Sequence, residues 1–218
     1  MQQFAKWWLD RLGALLLLVA AAPLLACLAL LLLLAQGRPL LHREARVGLH
    51  EREFILLKFR SMCEGAGPHI APETDPRITP LGRWLRRSRL DELPQLFNVL
   101  GGRMSLVGPR PLPPTHAARL AASERALLFS VRPGMTGVSA LAFLGEDAVL
   151  GGFQDPETCY LEKLLPAKAA LEVDYLAHWS LAEDCALLAA TMARLWSRKA
   201  RQRSRDRVQE LLTASSGS

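Results

Sequence analysis

Two adjacent carboxylates, Asp91 and Glu92, lie within Arg83-Trp84-Leu85-Arg86-Arg87-Ser88-Arg89-Leu90-Asp91-Glu92-Leu93-Pro94-Gln95-Leu96, a run that surrounds them with arginines. That mixture suits a polyanionic substrate, because guanidinium groups hold phosphate oxygens in bidentate pairs. Downstream, Leu93, Leu96, Phe97 and Leu100 fall at helical spacing and Gly101-Gly102 close the segment. Pro94 is tolerable only in a first turn, so Asp91 reads as the N-cap of a short amphipathic helix. A helix N-terminus carries partial positive charge and free N–H groups, so a phosphoryl group could dock there. Taken alone, a capping Asp followed by an acidic first-turn residue is ordinarily structural, and both readings stand at this point.

The elements that must position these acids follow from the neighbouring pattern. Thr79 supplies an N-cap and Pro80 an N1 residue for a helix with Leu81, Trp84 and Leu85 on one face and Arg83, Arg86 and Arg87 on the other. Such a helix lies either at a lipid headgroup boundary or on an ordinary solvated surface. Glu53 to Arg60 is partly alternating and apolar, which predicts a strand ending in positive charge, and Cys63 to Asp75 reads as a loop. The prolines of Gly108 to Pro114 stiffen the backbone around Arg110. Ala117 to Ser130 is predicted helical and Arg132 to Gly137 turn-rich. Two amphipathic helices follow, over Glu157 to Ala177 and Ser180 to Trp196, with Tyr160, Tyr175, Trp179 and Trp196 as interfacial anchors. No internal repeat is evident.

Leu12 to Ala35 carries no charge and, at about 1.5 Å per helical residue, is long enough to cross the roughly 30 Å hydrocarbon core. Pro23 removes a backbone hydrogen bond at its centre, dividing it into two arms of roughly 16 Å. Lys6 and Arg11 precede the segment, and Arg38, Arg43 and Arg46 follow it. Basic residues on both flanks suit a hairpin that returns to its starting face; a span predicts asymmetry. The two topologies remain open on these residues. A signal peptide or lipoprotein leader ending near Cys27 is disfavoured, since the apolar run continues to Leu34.

The 218 residues fit one domain with accessory segments. Cys27, Cys63, Cys159 and Cys185 show neither close pairing nor metal-ligand spacing, which points to four free thiols in a reducing compartment. A formal charge of +6 and a pI near 9.5 admit nucleic acid, anionic lipid or anionic substrates. The basic clusters flank the apolar segment, fill Arg83 to Arg89 and recur in Arg198 to Arg205. None matches a nucleic-acid-reading module, so no nucleic-acid partner is expected. Walker-type, zinc-finger and Ser/His/Asp arrangements are absent.

Several spaced motifs, in order, carry a resemblance. They are Lys58-Phe59-Arg60-Ser61-Met62, Asp75-Pro76-Arg77-Ile78-Thr79-Pro80-Leu81-Gly82-Arg83, Leu90 to Leu100, Met104-Ser105-Leu106-Val107-Gly108-Pro109-Arg110-Pro111 and Arg132-Pro133-Gly134-Met135-Thr136-Gly137. Together they resemble the bacterial sugar transferase family, the monotopic polyprenyl-phosphate phosphoglycosyltransferases, in its small form with the catalytic domain only. The resemblance implies an α-rich fold with little β: a membrane-dipping re-entrant helix over residues 1–37 bent at Pro23 and a cytosolic catalytic domain over 38–197 with amphipathic interfacial helices, while the composition of 198–218 reads as a basic, disordered tail.

It further implies transfer of a sugar-1-phosphate from a UDP-sugar to undecaprenyl phosphate at the cytoplasmic face of the bacterial inner membrane, among membrane lipids. Asp91 would be the nucleophile that forms a phosphosugar intermediate and releases UMP. Glu92 would hold Mg²⁺, and Lys58, Arg86 and Arg110 would bind substrate phosphate. Direct attack by the lipid phosphate, a non-catalytic anionic-lipid scaffold and a lipoprotein are the competing readings. Homo-oligomerisation is left open. After Gly137 the chain reads Val138-Ser139-Ala140-Leu141-Ala142-Phe143 where many members have Gln-Val-Asn-Gly-Arg, and Tyr160-Leu161-Glu162 resembles another branch, so the sugar cannot be carried over.

Overall fold

A run of 35 residues with no backbone break forms the first helix, α1 (Gln2–Gln36), in the computed structural model, which describes residues 2–63 and 70–214. Pro23 lies inside α1 and does not divide it into two elements. Asp10, Ala14, Leu18, Leu28 and Leu32 recur at helical spacing and are buried along a single stripe. Burying each leucine stabilises the arrangement by about 1.5–3 kcal/mol, and together these contacts offset the roughly 3 kcal/mol cost of an internal proline. The opposite face, including Phe4, Trp8, Leu12, Leu16 and Val19, is exposed. By length and composition α1 is sufficient to cross a membrane.

Both ends of α1 are tied to the same folded body. Near its start, Lys6 donates to Asp184 Oδ2 at 2.5 Å and to the Val107 carbonyl at 2.9 Å. One turn later Asp10 accepts from Ser105 Oγ at 2.7 Å and from the Leu106 amide at 3.0 Å. At its end, Gln36 donates to Thr79 Oγ1 at 3.0 Å, and Arg60 donates to the Gln36, Gly37 and Arg38 carbonyls.

β1 (Leu41–Val47) and β2 (Glu53–Phe59) pair antiparallel, with Leu41 opposite Phe59 and Val47 opposite Glu53. β2 confirms the predicted strand; its alternation buries Phe54 and Leu56 on one face, while Phe59, on the other, packs with Leu28, Leu32 and Leu85. A bridge between Met62 and Ile78 closes the base of the following loop, of which residues 64–69 lie outside the described part. α2 (Pro80–Ser88) starts as predicted: Thr79 Oγ1 accepts from the Gly82 amide at 2.9 Å. Leu85 is fully buried but Trp84 is half exposed, so the apolar face is narrower than its spacing suggests. Gly82 touches the Ser61 backbone, where a Cβ would stand 1.8 Å from the carbonyl oxygen.

α3 (Gln95–Leu100) ends at the predicted glycines. β3 (Ser105–Val107) pairs parallel with β4 (Gly134–Thr136), placing a two-strand ladder where only a turn-rich loop was expected. The helix predicted over Ala117 to Ser130 is instead two: α4 (Pro114–Ala117) and α5 (Ala122–Leu128). Two short helices, α6 (Val138–Ala142) and α7 (Glu146–Leu150), come next. α8 (Pro156–Cys159), a π turn (Tyr160–Leu164) and α9 (Leu165–Ala177) then form one continuous helical stretch. α10 (Leu181–Trp196) is capped by Ser180, which accepts from the Glu183 amide at 3.2 Å.

Residues expected as a disordered tail form α11 (Arg198–Ala214), because Val208 and Leu212 are fully buried against Leu150, Leu164 and their neighbours. Residues 215–218 lie outside the described part. The expected interfacial anchors Tyr160 and Tyr175 are buried, the latter bonded to Asp184, while Trp179 donates to the same carboxylate at 3.1 Å. The side chain of Trp196 lies outside the described part. All four cysteines are free.

Candidate active site

Arg89 ends α2 in the left-handed conformation (φ 56°), a backbone state that costs a non-glycine residue about 1–3 kcal/mol. The reversal starts a 3₁₀ turn over Leu90–Glu92, which sets both acids beside β2 and its Lys58. Asp91 is therefore not the N-cap of α3; Pro94 holds that position, because the 3₁₀ turn intervenes. The helix-terminus docking expected there is replaced by a turn that aims two side chains into a cavity.

That cavity measures about 1130 Å³, beyond the roughly 300–1,000 Å³ usual for one small ligand. It brings together every residue singled out by the resemblance for phosphate chemistry: Lys58, Arg86, Asp91, Glu92 and Arg110. Pro23 is not part of it. Leu33, Leu40, Leu41 and Phe59 contribute apolar wall where α1 meets β1, beside Arg38 and Arg60, and His116, Glu146 and Tyr160 lie elsewhere in the wall.

Asp91 is only 9% exposed, yet its carboxylate has no hydrogen bond or ion pair with any described residue. Burial, and then the adjacent Glu92 charge, push its carboxyl up to about 6 against the pull of Lys58, Arg86 and Arg89. Glu92 is different. Burial alone would raise it as well, but Arg89, Arg110 and Lys58 outweigh that effect and hold it at about 2. Its Oε1 is 3.3 Å from Arg110 Nη2 and its Oε2 is 3.6 Å from Arg89 Nη1. One acid is thus fixed and ionised, while the other is unbonded and faces the cavity.

The cations have equally distinct settings. Lys58 is lowered by burial and by Arg46, partly opposed by Glu92, and has no hydrogen bond or ion pair with a described residue. Arg86 donates to the Ala71 carbonyl at 2.7 Å, which fixes its guanidinium in the cavity wall. Arg110 is raised: burial would lower it, but Glu92 and Glu146 prevail.

Behind Arg110 lies a buried polar group that sequence reasoning did not single out. The Arg110 amide donates to Glu172 Oε1 at 3.1 Å, and Ser139 donates to the same oxygen. Burial pushes the Glu172 carboxyl up to about 7 despite those bonds. Four residues earlier, Lys168 pairs with Glu146 at 2.6 Å and lies 4.8 Å above the Tyr160 ring. Lys168 and Glu172, at i and i+4, carry the signature of an exposed helix pair, and only their burial reveals a different role.

Among the described residues no three His, Cys, Asp or Glu converge on a point. Two adjacent carboxylates nevertheless fit Mg²⁺, which keeps several waters and commonly binds through one or two carboxylates plus substrate phosphates. Glu92, which lines the cavity, is the acid that would hold such an ion beside a substrate diphosphate.

The sequence was compared with known proteins. The family model described as bacterial sugar transferase matches residues 1–198. The UDP-glucose:undecaprenyl-phosphate glucose-1-phosphate transferase of Caulobacter vibrioides is 39% identical over 194 residues, covering 86% of this chain and 68% of that protein. The Escherichia coli K12 protein of the same name is 34% identical, covering 88% of this chain and 40% of its own length. The exopolysaccharide production protein PSS of Rhizobium leguminosarum bv. phaseoli is 34% identical over 84% of this chain and 90% of its own. The chain therefore spans less than half of some relatives and nearly all of others. With the family model covering the dyad, its arginines and α1 alike, the chain belongs to the bacterial sugar transferase family.

Proposed function

We propose that this protein transfers a sugar-1-phosphate from a UDP-sugar to undecaprenyl phosphate at the membrane. The observation that carries the reading is Asp91: a nearly buried carboxylate, bonded to no described residue, in a cavity lined by Lys58, Arg86, Arg89 and Arg110. A structural carboxylate would be satisfied by neighbours; this one is left available to a ligand. The cavity volume allows a nucleotide sugar and a lipid phosphate to share the site, and Leu33 of α1 lines it, the side from which a polyprenyl chain would enter.

In the finer reading, Asp91 attacks the sugar-bearing phosphorus, the bond to the UMP oxygen breaks, and UMP leaves. The lipid phosphate then attacks the same phosphorus and restores the carboxylate. Arg110 and Arg86 hold the diphosphate oxygens by bidentate hydrogen bonds, and Lys58 adds a point charge. Glu92, fixed by Arg89 and Arg110, would hold Mg²⁺, which when bound neutralises diphosphate charge. The reaction is tested by a panel of UDP-sugars offered with undecaprenyl phosphate, reading UMP. One sugar should give multiple-turnover UMP release only when both substrates and Mg²⁺ are present; no turnover with any sugar contradicts the assignment.

The same reading places α1 in one leaflet, entering and leaving at the cytoplasmic face. Its support is that Lys6 and Gln36, at opposite ends, both bond the catalytic body. Single cysteines at Gln3 and Ala45, in a cysteine-free background, should label from the same side of inner-membrane vesicles of known orientation. Labelling from opposite sides would instead require a span.

A further inference from the structure

α2, α7 and α11 line a second, smaller, open cavity of about 70 Å³ that shares Arg86, Arg89, Gly145 and Asp147 with the main one. Five guanidiniums line it: Arg83, Arg86 and Arg87 from α2, Arg89 from its left-handed cap and Arg205 from α11. Two carboxylates, Glu73 and Asp147, face them, leaving a formal excess of three positive charges. Glu73 is 2.5 Å from Arg87 and 3.8 Å from Arg205, while Asp147 is 3.9 Å from Arg86.

These contacts do not satisfy the cluster. Arg205 Nε is buried with no hydrogen-bond partner among the described residues, and the Arg83 side chain has no hydrogen bond or ion pair with any of them. Gly145 makes the approach of Arg205 feasible, since a Cβ there would stand 2.9 Å from Arg205 Nε. Guanidinium groups do not deprotonate in proteins, so their mutual repulsion must be relieved by an anion or by water. A volume of about 70 Å³ exceeds the roughly 10–15 Å³ that one water requires and falls well below the roughly 300 Å³ of the smallest usual small-molecule sites. A tetrahedral oxyanion has the right size and offers acceptors to several forks at once.

We infer that this cavity is a second phosphate-binding site, taking inorganic phosphate or the phosphomonoester headgroup of a lipid, and that its occupant draws on Arg86 and Arg89 from the rear of the catalytic cleft. The shared arginines make occupancy inhibitory, because a guanidinium turned toward the rear anion is less available to substrate diphosphate. The site itself does not depend on the proposed reaction; only the inhibition does.

The test counts phosphate directly. Full-length protein in phosphatidylcholine nanodiscs is dialysed to equilibrium against radiolabelled inorganic phosphate. Wild type should bind two phosphates. Arg83→Gln and Arg205→Gln should each weaken one of them at least ~10-fold, the scale of one lost charge-assisted hydrogen bond. Glu73→Gln should tighten that same site by removing a competing carboxylate, and Arg110→Gln should weaken only the other.

UMP release measured without added phosphate should change less than about twofold in Arg83→Gln, an exposed position that guards against misfolding of the Arg205 variant. Repeating the dialysis with phosphatidic acid in the discs identifies the source: a lost rear site assigns it to the headgroup, and an unchanged one to free phosphate. A wild-type chain that binds one phosphate, or two that ignore the Arg83, Arg205 and Glu73 substitutions, overturns the inference. If two phosphates bind as described but no UDP-sugar is turned over, the rear site stands and the proposed reaction falls.

Discussion

Asp91→Asn is expected to lower UMP release by at least about 10³-fold while leaving the thermal midpoint unchanged or raised. The two halves of that expectation share one cause. Asparagine matches aspartate in shape but is not a phosphoryl nucleophile. Because the Asp91 carboxylate bonds no described residue, the substitution breaks no structural contact, and it removes the cost of keeping a charge in a buried place. Glu92→Gln provides the contrast. It loses the charge that pairs with Arg89 and Arg110, so activity, Mg²⁺ dependence and stability should decline together. Full activity in purified Asp91→Asn, with deamidation excluded by mass, removes the nucleophile assignment.

Arg110→Lys should lower kcat/KM for the UDP-sugar by about 10²–10³-fold, the usual range for losing one positioned donor to a developing charge. Charge is conserved in this substitution; geometry is not. Arg110 is held from three directions: its amide by Glu172, its flanks by Pro109 and Pro111, and its guanidinium by Glu92 at 3.3 Å. A lysine at that backbone position presents one ammonium in place of a planar fork and cannot bridge Glu92 and a phosphate oxygen together. Arg83→Lys, exposed and outside the main cavity, should change the same ratio by less than about twofold. Equal, small losses at both positions would indicate a diffuse electrostatic field instead.

The candidate constellation was legible in part because adjacent acids among arginines suit a polyanion whatever the local fold. Lys58, Arg86 and Arg110 were singled out by the family resemblance, and one cavity gathers them with both acids. Local structure was legible where a single backbone rule decides it, as with Thr79-Pro80 opening α2, Ser180 opening α10 and Gly101 ending α3.

Elsewhere distant partners prevailed over local pattern. Leu93, Leu96, Phe97 and Leu100 have helical spacing, but the left-handed Arg89 starts a 3₁₀ turn ahead of α3 that takes the capping position from Asp91. The ladder of Ser105–Val107 with Gly134–Thr136 joins segments too short to show a period. The basic content of Arg198 to Arg205 suggested an unstructured tail, yet Val208 and Leu212, beyond that run, anchor α11 in the core. Glu172 and Lys168 look like a surface pair because a helical i, i+4 spacing says nothing of what lies outside the helix.

The covalent step itself is tested most directly without any lipid. Purified enzyme, the UDP-sugar it turns over and Mg²⁺ are incubated with labelled UMP and no polyprenyl phosphate. If Asp91 accepts the phosphosugar and releases UMP in an independent half-reaction, label passes into UDP-sugar in wild type, and Asp91→Asn shows none. Direct transfer to the lipid phosphate needs both substrates at once, so the absence of exchange with a sugar that the complete assay consumes would contradict the covalent account.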